Sequence, residues 1–222
     1  KSKFKKGELN ISNIEIFNAL IDRLSLALRW KERIKRHFCR EAYFNQLLRK
    51  LSSDTDINFA EVEKDKKIAE KFRKQKPSTL YSGRALKDIL ERFDLKNFKE
   101  PRSIADKKSV KIIKNYLKIS CSIDNAPSTL NKFFKKNKLN LFISDDYFPV
   151  VKTINRKIKI NFSSNINRSL EYYSGMVFNI TVNKKGKKFS LISGGRYDGL
   201  LKNLGSKKNT TAVGAAIDMS LL

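Results

Sequence analysis

Two short stretches near the C-terminal end of the 222-residue chain carry residue types that could bind a small ligand. The first, residues 167–178, holds an arginine, a glutamate and two adjacent tyrosines ahead of an apolar alternation. The second, residues 193–201, reads S-G-G-R-Y-D-G-L-L. The candidate ligand-binding residues are Arg168, Glu171, Tyr172, Tyr173, Gly194, Gly195, Arg196 and Tyr197.

Together these residue types suit a small zwitterion such as an amino acid. A glycine pair lets a ligand approach the backbone closely, and Arg168 and Arg196 offer guanidinium forks for a carboxylate or a phosphate. Glu171 and Asp198 can pair with a cation, while the tyrosines supply flat walls and hydroxyl groups. A second interpretation stays open, in which the arginines and the acids pair with one another and brace the surrounding hairpin.

The elements that must position these residues read as strands. Beyond residue 155 the apolar residues recur with a period of two, which is typical of half-buried strands. The predicted strands cover residues 158–162, 176–183, 189–193 and 212–217. A turn around Gly186 joins the second and third strands, and a short helix over residues 198–203 ends at Gly205. The sequence therefore predicts an antiparallel sheet with one apolar face.

The first 155 residues read as short helices, because their apolar residues recur at steps of three and four. The predicted helices cover residues 13–24, 28–38, 41–51, 109–117 and 127–136, with a further helix after Gly83 within residues 80–93 and a charged surface helix and loop over residues 52–79. Ser12 or Asn13 is the expected N-cap of the first helix.

We predict an α+β fold, with a mainly helical region over residues 1–155 and the sheet over residues 156–222 in one composite domain. The chain starts at Lys1 and ends in an apolar run, so we interpret it as truncated at both ends.

The chain is strongly basic, with 48 Lys and Arg against 22 Asp and Glu and a formal net charge of +26. Such a balance is typical of proteins that bind nucleic acid or another polyanion. The lysines are scattered along the whole chain, however, whereas phosphate binders concentrate their charge on one face. We favour a solvated, compositionally biased surface, with an anionic substrate or partner as the alternative.

The remaining composition excludes several classes of protein. Cys39 and Cys121 lie far apart and belong to no Cys/His cluster, so we expect neither a disulfide framework nor a metal site. His37 is the chain's one histidine, and without a second ligand or an orienting partner a surface or packing role is expected. No apolar stretch approaches the roughly 20 residues of a membrane-spanning helix. We expect a protein of the cytoplasm.

The two stretches, together with T-A-V-G-A-A-I-D-M at residues 211–219, resemble the histidine-binding end of the histidyl-tRNA synthetase family. That family's motifs read R-G-L-D-Y-Y, then G-G-R-Y-D-G-L, then a final A-V-G-x-A strand, and their order and spacing match over residues 165–222. The resemblance implies the antiparallel sheet of class II aminoacyl-tRNA synthetases and a pocket for histidine. The residues that it places around the ligand are Arg168, Glu171, Tyr173 and Tyr197, with Gly194 and Gly195 as the floor of the pocket.

Within that family the chain is more similar to the paralogues (HisZ) that serve as regulatory subunits of ATP phosphoribosyltransferase in the first step of histidine biosynthesis. Active synthetases carry an arginine in the helix after the last glycine strand, where it contacts ATP, whereas residues 215–222 contain no basic residue. Residues 28–38 and 82–92, and Glu171 in place of an aspartate, also favour the paralogue. The resemblance then implies a non-catalytic subunit that senses histidine, self-associates and binds the short-form catalytic subunit, with no cofactor, metal, membrane or nucleic acid involved.

Two other functions stay open from the sequence. A divergent histidyl-tRNA synthetase would use the basic surface as a tRNA footprint. A plain RNA-binding module is supported by the charge alone, because the sequence contains no aromatic RNP strand and no GXXG clamp.

Overall fold

The computed structural model describes residues 7–52, 67–74, 80–81, 84–86, 89–90, 104–148, 158–166, 172–184, 186–208 and 210–221. Within these residues a mixed, mostly antiparallel sheet of six strands packs against helices. None of the helices in the described part of the chain is long and apolar enough to cross a membrane. The α+β fold predicted from the sequence is confirmed.

The order of the strands in the sheet is β4-β5-β1-β6-β7-β8, and β2 and β3 form a separate pair. The strands are β1 (Gly7–Asn13), β2 (Leu80–Tyr81), β3 (Arg84–Ala85), β4 (Ser120–Ser122), β5 (Lys159–Ser163), β6 (Met176–Lys184), β7 (Lys187–Arg196) and β8 (Val213–Ile217). β1 is parallel to β5 and antiparallel to β6, and the other neighbours in the sheet are antiparallel. Strands β5 to β8 match the predicted strands. β1 and β4 were not predicted, and both come from the region that reads as helical.

The helices follow the predicted apolar periodicity. They are α1 (Ile14–Arg23), α2 (Leu28–Arg36), α3 (Glu41–Ser52), α4 (Ile104–Tyr116), α5 (Ala126–Lys136) and the short α6 (Leu200–Asn203), with 3₁₀ turns at Ile123–Asn125 and Met219–Leu221. Residues 67–73 are also helical. The stretch 80–93 begins with the strand pair β2–β3, and of its remaining described residues 86, 89 and 90 are helical. Gly83 and Phe93 lie outside the described residues.

The two faces of the sheet differ in chemistry, because alternate side chains of a strand point to opposite sides. On one side Leu9 and Phe162 are buried in the main core with residues of the helices. On the other side Asn10 donates from Nδ2 to Oδ1 of Asn179 at 3.0 Å, and Asn161 donates from Nδ2 to Oδ1 of Asn10 at 3.4 Å. We call these the apolar face and the polar face of the sheet.

The core on the apolar face is rich in aromatic rings. Phe17 of α1 is 1% exposed and stacks on Phe38, with 3.8 Å between ring centroids. Phe44 of α3 and Tyr116 of α4 lie at 6.1 Å from the same ring. Burial of these side chains, at roughly 25 cal/mol per Å² of apolar surface, fixes the helices on the sheet.

The junction between β1 and α1 is fixed by Asn13. Its Oδ1 accepts a hydrogen bond from the Glu15 N–H at 2.8 Å, so Asn13 is the N-cap, and its Nδ2 donates to the Tyr147 hydroxyl at 2.9 Å. One buried side chain thus ends a strand and begins a helix.

Replacement of Asn13 by alanine should lower the free energy of unfolding by about 1–2 kcal/mol, because it removes both the cap and the bond to Tyr147. Asn13→Asp keeps the oxygen that caps the helix and loses only the donor, so its loss should be smaller. Urea unfolding measures both variants. Equal losses for the two variants would contradict the capping role.

Candidate functional site

Three tyrosines gather at one end of the polar face. The ring centroids of Tyr172 and Tyr173 are 4.9 Å apart, those of Tyr172 and Tyr197 5.4 Å, and those of Tyr173 and Tyr197 6.3 Å. Tyr173 is buried together with Val177 of β6. Val177 lies opposite Ser12 of β1, two residues from the pair of Asn10 and Asn179, which places the cluster on the polar face. We call these three residues the tyrosine cluster.

Two glycines make room for the tyrosine cluster. A methyl group at Gly195 would lie 2.8 Å from Cδ1 and Cε1 of Tyr173 and 2.8 Å from the Met176 carbonyl oxygen. A methyl group at Gly214 would lie 2.5 Å from the Tyr197 hydroxyl. Gly195 and Gly214 face each other across β7 and β8. The rings therefore rest directly on the backbone of these two strands.

Gly194 serves the opposite face of the sheet. A side chain there would meet the ring of Phe178 at 2.7 Å and the Gly214 carbonyl oxygen at 2.6 Å. Phe178 packs against the main core. Gly194 and Gly195 thus make room for aromatic rings on opposite sides of β7. Of these two adjacent glycines, Gly195 is the one that lies under the tyrosine cluster.

The hydroxyl group of Tyr173 stays protonated near neutral pH. Burial raises the pKa of Tyr173 to about 12, and the neighbouring Tyr172 adds to the shift through its hydroxyl. A protonated phenol offers both a donor and an acceptor. Tyr173 can therefore bind a neutral polar ligand atom of either kind.

Arg196 and Asp198 pair with each other, as the bracing interpretation predicts for them. Arg196 Nε donates to Asp198 Oδ2 at 2.7 Å, and the Ala212 N–H donates to Asp198 Oδ1 at 3.0 Å. The Asp198 N–H in turn donates to the Ser174 hydroxyl at 3.1 Å. Arg196 follows Gly195 in β7, so its side chain leaves the strand on the face away from the tyrosine cluster. The pair ties the end of β7 to the segments before β6 and β8.

Asp198 should make the fold sensitive to acid. The hydrogen bond from Arg196, followed by that from the Ala212 N–H, holds the pKa of this carboxyl below its usual range. The stability that it contributes is present above the ordinary aspartate pKa of about 4 and is lost as the pH falls through the lower pKa of the folded state. Wild type should be more stable than Asp198→Asn at pH 7, and the difference in Tm should shrink below about pH 4. Thermal melts from pH 7 to pH 3 test this, and a constant difference would contradict it.

A polar row that the sequence analysis missed continues from the tyrosine cluster along the same face. It comprises Asn10, Asn161, Asn179 and Thr181, and Asn10 Nδ2 lies 3.4 Å from the Thr181 hydroxyl. At the far end Glu8 binds Lys188 at 2.8 Å and Lys159 at 3.6 Å. The hydrogen bond from Lys188 is the main cause that lowers the pKa of Glu8. The signal in the sequence is the alternation of polar residues in β1, Glu8, Asn10 and Ser12.

Of the remaining residues considered in the sequence analysis, the structure describes some and leaves others undescribed. Arg168 and Glu171 lie outside the described residues, so their places beside the ligand stay predictions. His37 ends α2 and packs its ring against Tyr43, at 4.5 Å between centroids. In the described ranges no three His, Cys, Asp or Glu side chains are grouped so that they could hold a metal ion.

The arrangement of sheet and helices is the fold of class II synthetases. A solved structure described as an ATP phosphoribosyltransferase regulatory subunit/histidyl-tRNA synthetase from Bacillus halodurans C superposes with a TM-score of 0.51, at 15% identity over 98% of this chain and 44% of that one. The family model for histidyl-tRNA synthetase matches residues 67–222. The chain belongs to the histidyl-tRNA synthetase family.

Curated relatives share parts of the chain. The histidine–tRNA ligase of Francisella tularensis subsp. novicida is 45% identical over 65 residues, which are 29% of this chain and 15% of that enzyme. The histidine–tRNA ligase of Ehrlichia ruminantium is 33% identical over 144 residues, 64% of this chain and 31% of that enzyme. The matched parts thus span less than a third of the length of these relatives.

Proposed function

We propose that this chain is a regulatory subunit of ATP phosphoribosyltransferase, which binds free histidine at the tyrosine cluster and controls a short-form catalytic subunit. The observation that carries the proposal is the convergence of three separate segments at one end of the polar face. Tyr172 and Tyr173 precede β6, Tyr197 follows β7, and Gly214 lies in β8 beneath the Tyr197 hydroxyl. These are the segments in which the histidine-binding motifs were found in the sequence.

Histidine would meet complementary groups at this position. The tyrosine hydroxyls can donate to one imidazole nitrogen and accept from the other, and the rings give the imidazole a flat wall. Arg168 is proposed to bind the carboxylate and Glu171 the ammonium group. Arg196, held by Asp198, contributes to the pocket by fixing the end of β7 and the ring of Tyr197 that follows it.

The proposed role is regulatory because the eight residues that follow Gly214, residues 215–222, carry no cation for a nucleotide phosphate. Charge-assisted bonds to a phosphate are each worth roughly 1.5–3 kcal/mol. Catalysis, which joins ATP to phosphoribosyl pyrophosphate, would lie in the partner subunit of a cytoplasmic hetero-oligomer. For feedback, histidine must bind the inhibited form better than the active form, by about 1–3 kcal/mol in typical systems.

Calorimetric titration of histidine into the complex of this protein with its catalytic subunit tests the proposal. Tyr197→Ala should weaken histidine binding at least about tenfold, or 1.4 kcal/mol, and should relieve feedback inhibition to the same extent. Tyr43→Ala, which removes a tyrosine at the surface formed by α2 and α3, is the matched control and should change neither. Absence of histidine binding, or intact feedback in Tyr197→Ala, would overturn the proposal.

A second candidate function is that of a divergent histidyl-tRNA synthetase. It is favoured by the identity of the curated relatives, which are histidine–tRNA ligases, and by the net charge of +26, which suits the binding of a polyanion. The two functions differ in one reaction. A synthetase exchanges pyrophosphate into ATP when histidine is present, and a regulatory subunit does not.

A further inference from the structure

A closed ring of hydrogen bonds joins the segment before β6 to the end of β7. The Ser174 N–H donates to the Arg196 carbonyl oxygen at 2.9 Å. Arg196 Nε donates to Asp198 Oδ2 at 2.7 Å, and the Asp198 N–H donates to the Ser174 hydroxyl oxygen at 3.1 Å. Each residue therefore donates to the next, and the Ser174 hydroxyl and the Asp198 carboxylate are the side-chain acceptors that close the ring. We call these three residues the hydrogen-bond ring.

The Asp198 carboxylate also holds the segment that leads into β8. Its second oxygen, Oδ1, accepts from the Ala212 N–H at 3.0 Å. The Ala212 carbonyl oxygen in turn accepts from the Tyr197 N–H at 2.8 Å. Asp198 thus uses one oxygen within the hydrogen-bond ring and the other on the approach to β8. A single side chain connects the segments that meet at the tyrosine cluster.

The hydrogen-bond ring lies next to two members of the tyrosine cluster in the chain. Tyr173 directly precedes Ser174, and Tyr197 lies between the two other members of the ring. Because the backbone is held beside each tyrosine, the position of each phenol depends only on the few torsions of its own side chain. The ring centroids of these two tyrosines are 6.3 Å apart. The hydrogen-bond ring therefore sets the backbone from which both phenols extend, and with it the distance between them.

From this geometry we propose that Ser174 and Asp198 are positioning residues, which act through Tyr173 and Tyr197 and fix the relative placement of the two phenols. A binding site needs its polar groups within about 0.5 Å of the productive position, because a hydrogen bond weakens steeply when its geometry departs from the optimum. The proposal rests on the proposed function for the identity of the ligand, histidine, whereas the placement of the phenols can be measured without a ligand.

Removal of the Ser174 hydroxyl opens the hydrogen-bond ring while other contacts keep the segment before β6 in place. The bond from the Ser174 N–H to Arg196 joins two backbone groups and does not need the side chain. The Gly175 carbonyl oxygen accepts from the Ile14 N–H at 3.1 Å, which holds the same segment to the start of α1. Ser174→Ala should therefore fold as the wild type does and lose only the bond that closes the ring.

Calorimetric titration of histidine into the complex with the catalytic subunit measures the effect on binding. Ser174→Ala should weaken histidine binding about three- to tenfold, as expected for the loss of one hydrogen bond. Ser174→Thr keeps a hydroxyl at this position and should restore most of the affinity, whereas Asp198→Ala removes both carboxylate contacts and should weaken binding at least as much as Ser174→Ala. Ser206→Ala is the matched control and should bind histidine as the wild type does, because the Ser206 hydroxyl accepts a bond of the same kind, from the Lys208 N–H at 3.2 Å, in the loop after α6.

Nuclear Overhauser effects between labelled tyrosine rings in the ligand-free full chain measure the placement of the phenols directly. Those between the rings of Tyr173 and Tyr197 should be present in the wild type and in Ser174→Thr, and should weaken in Ser174→Ala. Unchanged effects in Ser174→Ala would overturn the positioning role, and so would an unchanged histidine affinity in that variant. A wild type that binds no histidine would overturn the proposed function, and the contacts between the two rings would then decide the positioning role alone.

Discussion

Replacement of Gly195 by alanine should weaken both the proposed histidine site and the fold. The new methyl group would lie 2.8 Å from the ring of Tyr173 and from the carbonyl oxygen of Met176. Because the Met176 oxygen belongs to the backbone of β6, it cannot turn aside without moving the sheet, and the methyl group displaces the ring of Tyr173. Overpacking of this kind costs about 1–3 kcal/mol, and a displaced Tyr173 should lower histidine affinity by at least about tenfold. Thermal melts and calorimetry with histidine measure the two effects.

Gly199 provides the matched control for this variant. It lies four residues further along the chain, has φ −79° and ψ −7°, and a side chain there would meet no atom within 4 Å. Gly199→Ala should therefore leave both stability and histidine binding unchanged. If Gly195→Ala behaves like Gly199→Ala, the tyrosine cluster does not rest on β7 as described.

Truncation of Phe17 to alanine should lower the free energy of unfolding by about 3–5 kcal/mol. The ring is 1% exposed, stacks on Phe38 at 3.8 Å and approaches Phe44 and Tyr116. Its removal leaves a cavity between α1 and the helices around it. Since domains are stable by only about 5–15 kcal/mol, the urea midpoint should fall steeply.

Phe142 is the matched control for the loss of a phenyl ring. It is 78% exposed, so Phe142→Ala should change the free energy of unfolding by less than about 0.5 kcal/mol. Comparable midpoints for Phe17→Ala and Phe142→Ala would contradict the described core.

Local signals explain which elements could be predicted from the sequence. The helices carry their apolar stripe and their caps within a few residues, as Asn13 does for α1, and β5 to β8 alternate over enough residues to show a period of two. β1 has only Leu9 and Ile11 as large apolar residues and runs directly into a helix. β4 is too short to show any period. Both belong to the sheet through partners far away in the sequence, and a local pattern does not record such partners.

The candidate site likewise combines features that could be predicted from the sequence with features that could not. The motifs identified Tyr172, Tyr173 and Tyr197, and the fold brings them together. The pairing of Arg196 with Asp198 was one of two interpretations, because two residues at this spacing meet only when the turn after β7 has the right shape. The polar row around Asn10 depends on the register of three strands, which the sequence alone does not define.

The central position of β1 has a consequence for how the chain is synthesised. Its two neighbours in the sheet come much later: Asn10 bonds to Asn161, 151 residues away, and to Asn179, 169 residues away. At a translation rate of about 5–20 residues per second, β1 leaves the ribosome on the order of ten seconds before either neighbour exists. During that interval the nascent segment of β1 and α1 has unpaired backbone groups and an uncovered apolar side. Chaperone contact with this segment should therefore be prolonged, and the sheet can close only after β5 and β6 have been synthesised.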